Sequence, residues 1–181
     1  MDAAARIILD QGHLPLKLET LARSAGISKA LVYALFHTQH DLFNAILDRQ
    51  FRALAARGAP QASALDDLRA ASLGCALAYF EHVAAEGPLI HVILRDPYMA
   101  GHVAAATAAF RDRIIIRLAR LARRSLLLAA KENIAAINLV ITIPEEAGRL
   151  VHSGALSLER GRLLCSQLVL SSLEALTPQA A

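Results

Sequence analysis

Leu18, Leu21, Ala22 and Ala25 recur at i, i+3, i+4 and i+7 in LETLARSAGISKALVYALFH, residues 18–37, and predict a short helix with one buried stripe. Gly26 follows and takes backbone angles that a residue with a Cβ resists. Ile27 is placed to fill the angle between this helix and the next. Ser28 is placed to cap the second helix by accepting a bond from a free backbone N–H. Val32, Leu35 and Phe36 form its expected inner face. Lys29, Ala30, Tyr33, Ala34 and His37 form the outer one. Such a pair reads as a helix-turn-helix. Its outer face, small at two positions and polar at three, points to DNA. A plain helical hairpin carries a similar stripe and glycine. The tighter pattern of Ala22 at the crossing, Gly26 four later and Ile27 as a plug favours the DNA-binding unit.

The same periodicity organises the rest of the chain. Residues 2–11 predict a first helix ended by Gly12, and 13–17 a connector with Pro15. Thr38, with Asp41 three residues on, reads as a capping box opening a fourth helix over 39–57. Leu42, Phe43, Ile46, Leu47 and Leu54 are its buried face. Gly58-Ala59-Pro60 breaks it, and the domain boundary is placed there: a helix-turn-helix domain over 1–58 and a second domain over 61–181. Helices are expected over 64–86 and 88–95, with Asp96-Pro97 a turn. Others are expected from about 99–103 toward 130, over 133–152 with Pro144 inside, and over 158–176. Ser157 caps the last, and Pro178 follows it. A proline inside a helix removes a hydrogen bond and bends the axis.

Composition agrees with an all-α protein. Of 181 residues 55% are apolar, much of that alanine and leucine, while aromatic residues make 4% and Trp is absent. These are strong helix formers, and β-branched runs are few. The longest apolar stretches, 134–143 and 126–130, fall short of the roughly 18 residues that a membrane span needs. No charged-then-apolar leader opens the chain, so a cytoplasmic location is expected. Cys75 and Cys165 make no metal or redox spacing and are expected to be buried free thiols.

The net charge of +3 is too small to mark a nucleic-acid binder by itself. Its placement is more informative. Between 111 and 131, Arg111, Arg113, Arg117, Arg120, Arg123, Arg124 and Lys131 meet only Asp112. Arg113, Arg117, Arg120 and Arg124 are expected on one helical face, either solvated or turned to an anionic partner. Glu145 and Glu146 are candidates to neutralise it from another helix. The last two predicted helices are apolar on more than one face, and the final one carries Leu158, Leu163, Leu164, Cys165, Leu168, Val169, Leu170, Leu173 and Leu176. A helix covered by its own domain needs one stripe. A second stripe suggests a homodimer in which both subunits contribute these two helices, and a two-fold dimer suits a two-fold DNA site. Deep burial in one domain is the alternative.

This layout resembles the TetR family of transcriptional regulators. The resemblance is densest in LETLARSAGISKALVYALFHTQHDLF, residues 18–43. The family's pattern appears as Leu21-Ala22, Ala25-Gly26-Ile27-Ser28, Lys29, Val32-Tyr33, Leu35-Phe36 and Leu42-Phe43. The chain departs from it at Ala30-Leu31, where Gly-Thr is usual, and at Ala34, His37 and Gln39. Leu31 donates no hydrogen bond but suits a thymine methyl. The resemblance implies that Lys29, Tyr33 and His37 contact phosphates or base edges. It implies that Thr38 and the start of the fourth helix offer N–H groups to a phosphate, with Lys17 and Arg23 flanking the backbone. Ser28, Ala30 and Leu31 complete the expected DNA-facing set.

The resemblance also implies an effector pocket in the second domain, whose occupation releases DNA through the fourth helix. Tyr79, His82, His91, Tyr98, His102, Asn138 and Thr142 are candidate pocket groups on residue type and central helical position. Few polar groups among many Leu, Ile and Val suit a small apolar or amphipathic effector. His82, His91 and His102 make no i, i+4 pair, so neither metal nor cofactor is expected. No Gly-rich phosphate loop, paired-histidine zinc motif or nucleophile elbow is present, and adjacent Glu145 and Glu146 point about 100° apart on a helix. The expected function is therefore a ligand-responsive, homodimeric DNA-binding repressor, not an enzyme. The alternative is a helical ligand-binding dimer that keeps the fold with weak or no specific DNA binding.

Overall fold

Alanine- and leucine-rich stretches become eleven α-helices and one 3-10 turn, with no strand, among the described residues, 1–126 and 128–177 of a computed structural model. Pro178 and Leu127, the latter within the apolar run at 126–130, lie outside them. The helices are α1 (Asp2–Gln11), α2 (Leu18–Ala25), α3 (Lys29–Leu35), α4 (Gln39–Ala56), α5 (Ala59–Ser63), α6 (Leu68–Glu86), α7 (Leu89–Arg95), α8 (Ala105–Ser125), α9 (Ala130–Val140), α10 (Thr142–His152) and α11 (Leu158–Leu176). The 3-10 turn is Pro97–Met99. No helix among the described residues is long and apolar enough to cross a membrane.

The chain forms two compact units. The first joins Met1–Arg52 to Pro88–Ala108, and the second joins Ala53–Gly87 to the described residues from Ala109 onward. In the first, Ile8, Leu21, Val32, Phe43, Ile46, Leu47, Ile93 and Met99 are buried. In the second, α6 is central and packs on α5, α10 and α11. Its Phe80 lies in a cluster with Leu121, Ala122, Ala147, Cys165 and Val169. Gly148 and Gly161 permit that packing. A Cβ on Gly148 would meet the Phe80 carbonyl oxygen at 2.9 Å, and one on Gly161 would meet Val151 Cγ2 at 2.5 Å.

Several expected elements are corrected. The break at Gly58 opens a further helix, α5, with Pro60 in its first turn, where a missing N–H costs nothing. α6 starts four residues later than expected, because the Asp67 side chain caps it by accepting from Ala70 N at 2.7 Å. α8 begins at Ala105 and ends at Ser125, since residues 97–104 are occupied by the 3-10 turn and by Gly101 at φ 75°. The single bent helix over 133–152 is two helices. Pro144 does not bend one; it sits in the first turn of α10, where its lack of an N–H is tolerated. The neutralising partners of the arginine face differ from those expected. Arg117 donates to the carbonyls of Ser63 and Ala64 at 2.6 and 2.8 Å and pairs with Asp66, while Glu146 pairs with Arg149. Cys165 is buried, but Cys75 is only half-buried.

Candidate nucleic-acid interface

Gly26 takes the left-handed conformation at φ 65° and receives the chain from α2; its N–H bonds back to the Arg23 carbonyl. Ile27, half-buried, returns its N–H to Ala22. Ser28 Oγ accepts from Leu31 N at 3.1 Å and starts α3. The α2–α3 pair is thus formed where its sequence predicts, with Leu21, Ala22 and Val32 buried, although Leu18 is only half-buried and Ala25 is exposed. At Thr38 the capping box closes in both directions. Thr38 N donates to Asp41 Oδ2 at 2.9 Å, and Asp41 N donates to Thr38 Oγ1 at 3.1 Å. Bonds from the Thr38 hydroxyl and N–H hold the Asp41 carboxyl below its usual range. The box uses the N–H groups of Thr38 and Asp41 themselves.

Lys17, Arg23, Ser28, Lys29, Ala30, Leu31, Tyr33, Ala34, His37 and Thr38 are all exposed on this unit. Leu35 is not part of the inner face: it is 61% exposed. α3 ends there, and Phe36 turns extended at φ −138°, so the helical period no longer carries Leu35 and Phe36 inward together. Phe36 is half-buried. The Lys29 ammonium pairs with Glu19 on α2, which raises the lysine pKa and lowers that of the glutamate.

Polar groups at the start of α4 are committed within the unit. Gln39 clasps the backbone of Leu16, accepting from its N–H at 2.9 Å and donating to its carbonyl at 3.1 Å. His40 stacks between Tyr98 and His102, with centroids 4.4 and 3.9 Å away. Asn44 donates to the His102 carbonyl and accepts from Ala104 N, both at 2.8 Å. Asp96 accepts from Leu14 N at 2.7 Å. No local periodicity announces these bonds to residues 96–104, since their partners lie 58 to 82 residues apart.

The seven candidate pocket groups are not brought together. Tyr98 and His102 join the His40 stack, and His91 is half-buried in α7, all in the first unit. Asn138 and Thr142 are exposed in the second, where Thr142 Oγ1 donates to the Leu139 carbonyl. Tyr79 is buried, and its hydroxyl donates to Glu145 Oε2 at 3.3 Å. His82 stands apart from the others. It is fully buried on α6, both ring nitrogens lack a hydrogen-bond partner, and burial lowers its pKa to about 4. Burial also raises both cysteine thiols to about 11.

An exposed second helix behind a glycine turn, with basic and hydroxyl groups beside it, has the geometry of a helix-turn-helix. Residues 1–46 match the sequence model of a family described as bacterial regulatory proteins, tetR family. Two solved structures share the fold. A TetR-like transcriptional regulator from Rhodococcus sp. RHA1 is 21% identical, with a TM-score of 0.66 over 96% of this chain and 90% of that one. The TetR family transcriptional regulator PfmR from Thermus thermophilus is 17% identical, with a TM-score of 0.63 over 97% and 95%. No curated protein matches the sequence. The likeness to the tetR family is thus one of sequence over residues 1–46 and of fold over the rest of the chain.

Proposed function

We propose that this regulator is a homodimeric repressor, released from a palindromic operator by a small apolar or amphipathic effector. The observation that carries the DNA-facing part is the outward surface of α3, opposite buried Val32, where Lys29 and Tyr33 share one flank. Lys29, Tyr33 and His37 are assigned to phosphates or base edges, with Ser28, Ala30, Leu31 and Thr38 beside them and Lys17 and Arg23 on the flanking backbone. The Lys29–Glu19 pair is no obstacle. An exposed ion pair is weak, and a phosphate replaces it as a partner for the ammonium.

Function divides into a DNA-binding segment, residues 1–58, and an effector-binding and dimerisation segment, residues 61–181. The dimer uses α11 and the α9–α10 stretch. Support comes from apolar side chains left exposed there: Ile134, Leu139, Ile141, Leu163 and Leu168. A dimer places two recognition helices for successive major grooves, about 34–36 Å apart. Within the second segment, His82 is the polar group best suited to an effector, because it is enclosed and its nitrogens are unpartnered. Effector binding favours a subunit arrangement that no longer matches that spacing, at a coupling of about 1–3 kcal/mol, with α4 as the connecting helix.

Selection of random duplex DNA by the purified protein at moderate salt, with Tyr33→Ala alongside, tests this reading. Wild type is expected to enrich a palindrome and the variant is not. A folded dimer that enriches nothing would instead be a ligand-binding dimer without specific DNA recognition.

A further inference from the structure

On α3 the side chains sort into three strips by the helical period of 100° per residue. Ala30 and Ala34 stand at the outer crest, opposite buried Val32. Lys29 and Tyr33 share one flank. Leu31 and Leu35 share the other, and they are 45% and 61% exposed. The crest is low, so the helix axis can come close to a groove floor. The leucine flank offers the bases neither donor nor acceptor.

In the major groove every base-edge feature but one is a hydrogen-bonding group, and the exception is the C5-methyl of thymine. We propose that this regulator reads its operator by methyl contact: Leu31 and Leu35, with Ala30 and Ala34, pack on thymine methyl groups in each half-site. This rests on α3 being the recognition helix. Leucine flank and methyl then bury each other, while water is removed from two side chains that the free protein leaves exposed. Tyr33 and Lys29, on the opposite flank, remain for the phosphate backbone.

The test replaces each thymine of the selected operator in turn by deoxyuridine, which deletes the methyl and keeps the pairing edge. Affinity of the full-length protein is read by fluorescence anisotropy at fixed salt. Loss of a methyl packed on leucine is expected to weaken binding about fourfold at each contacted position. In Leu31→Ala and Leu35→Ala the same replacements are expected to cost nearly nothing at the positions each leucine covers. Both leucines are exposed, so the variants are expected to fold, and circular dichroism checks this. Uracil replacements that are silent throughout a tightly bound operator would overturn the methyl reading and leave the DNA-binding reading standing. So would penalties that survive undiminished at every position in both variants. Failure of the folded wild type to enrich any duplex would overturn both.

Discussion

Acidification of the protein tests the burial of His82. The side chain is 0% exposed, and neither ring nitrogen has a hydrogen-bond partner. Desolvation lowers its pKa from 6.5 to about 4, with smaller opposing influences from Glu86 and Arg57. Above pH 6.5 the ring is neutral in both folded and unfolded chains. Between pH 6.5 and about 4 the unfolded chain binds a proton that the folded one refuses, so stability falls as pH falls, and the loss is complete below the folded pKa. At 1.36 kcal/mol per pKa unit, this group alone removes about 2 kcal/mol between pH 7 and pH 5. For a chain of this length that lowers Tm by roughly 4–8 °C.

Urea unfolding at pH 7, 6 and 5, at one protein concentration, measures the loss, and His82→Leu isolates it. Leucine fills a similar volume without two unpartnered nitrogens, so the variant is expected to match or exceed wild type at pH 7. It is expected to lose about 2 kcal/mol less on going to pH 5. The carboxyls of Asp2, Glu19, Asp41 and Glu146 are held low by their partners, so their contributions are present above their unfolded pKa values and disappear as pH falls further. Among these shifted groups, the pH 5–7 window therefore belongs to His82. Parallel declines in wild type and variant would refute the enclosed, unpartnered ring.

The remaining predictions concern packing and charge. Gly148→Ala gains about 1 kcal/mol of helix propensity. Its Cβ would sit 2.7 Å from Val83 Cβ and 2.9 Å from the Phe80 carbonyl oxygen, which moves only with α6 itself. Overpacking costs about 1–3 kcal/mol, so a net loss is expected in thermal denaturation, and an unchanged or higher Tm would contradict the close α6–α10 approach. Lys29→Ala is expected to weaken binding to all sequences alike and to reduce the salt slope of log K by about one for each subunit engaged. An unchanged slope would mean that Lys29 meets no phosphate.

What the sequence made legible was local. Gly26, Ser28, the Thr38–Asp41 box and Ser157 each act within four residues, and each does in the structure what its residue type requires. The misses have a common physical origin: a stronger local or distant constraint overrides a periodic pattern. Asp67 captures the start of α6, and Gly101 with the Asp96-capped 3-10 turn delays α8. Pro144 reads as an interior kink because the turn at Ile141 has no glycine to mark it. Leu35 reads as inward because periodicity assumes that the helix continues, and it stops there. The bonds that tie residues 96–104 to α4 and to Leu14 leave no periodic trace, so the sequence hides that His40 and Asn44 are already engaged. The Gln39 clasp on Leu16 is equally silent.

That engagement bears on how the DNA-binding surface works. The first turns of α4 spend their amide and imidazole groups on Leu16, Tyr98, His102 and Ala104 rather than leaving them for phosphates. Over residues 1–58, seven basic side chains, Lys17, Arg23 and Lys29 among them, meet five acidic ones. Charge therefore supplies this surface with little surplus, and non-specific affinity, which comes almost wholly from charge, is expected to be modest. A regulator with a weak electrostatic grip depends more on what its recognition helix reads. On α3 that means two exposed leucines and two alanines, whose contribution is insensitive to salt and exacting in shape. Specificity resting on apolar fit should then persist as salt rises and total affinity falls.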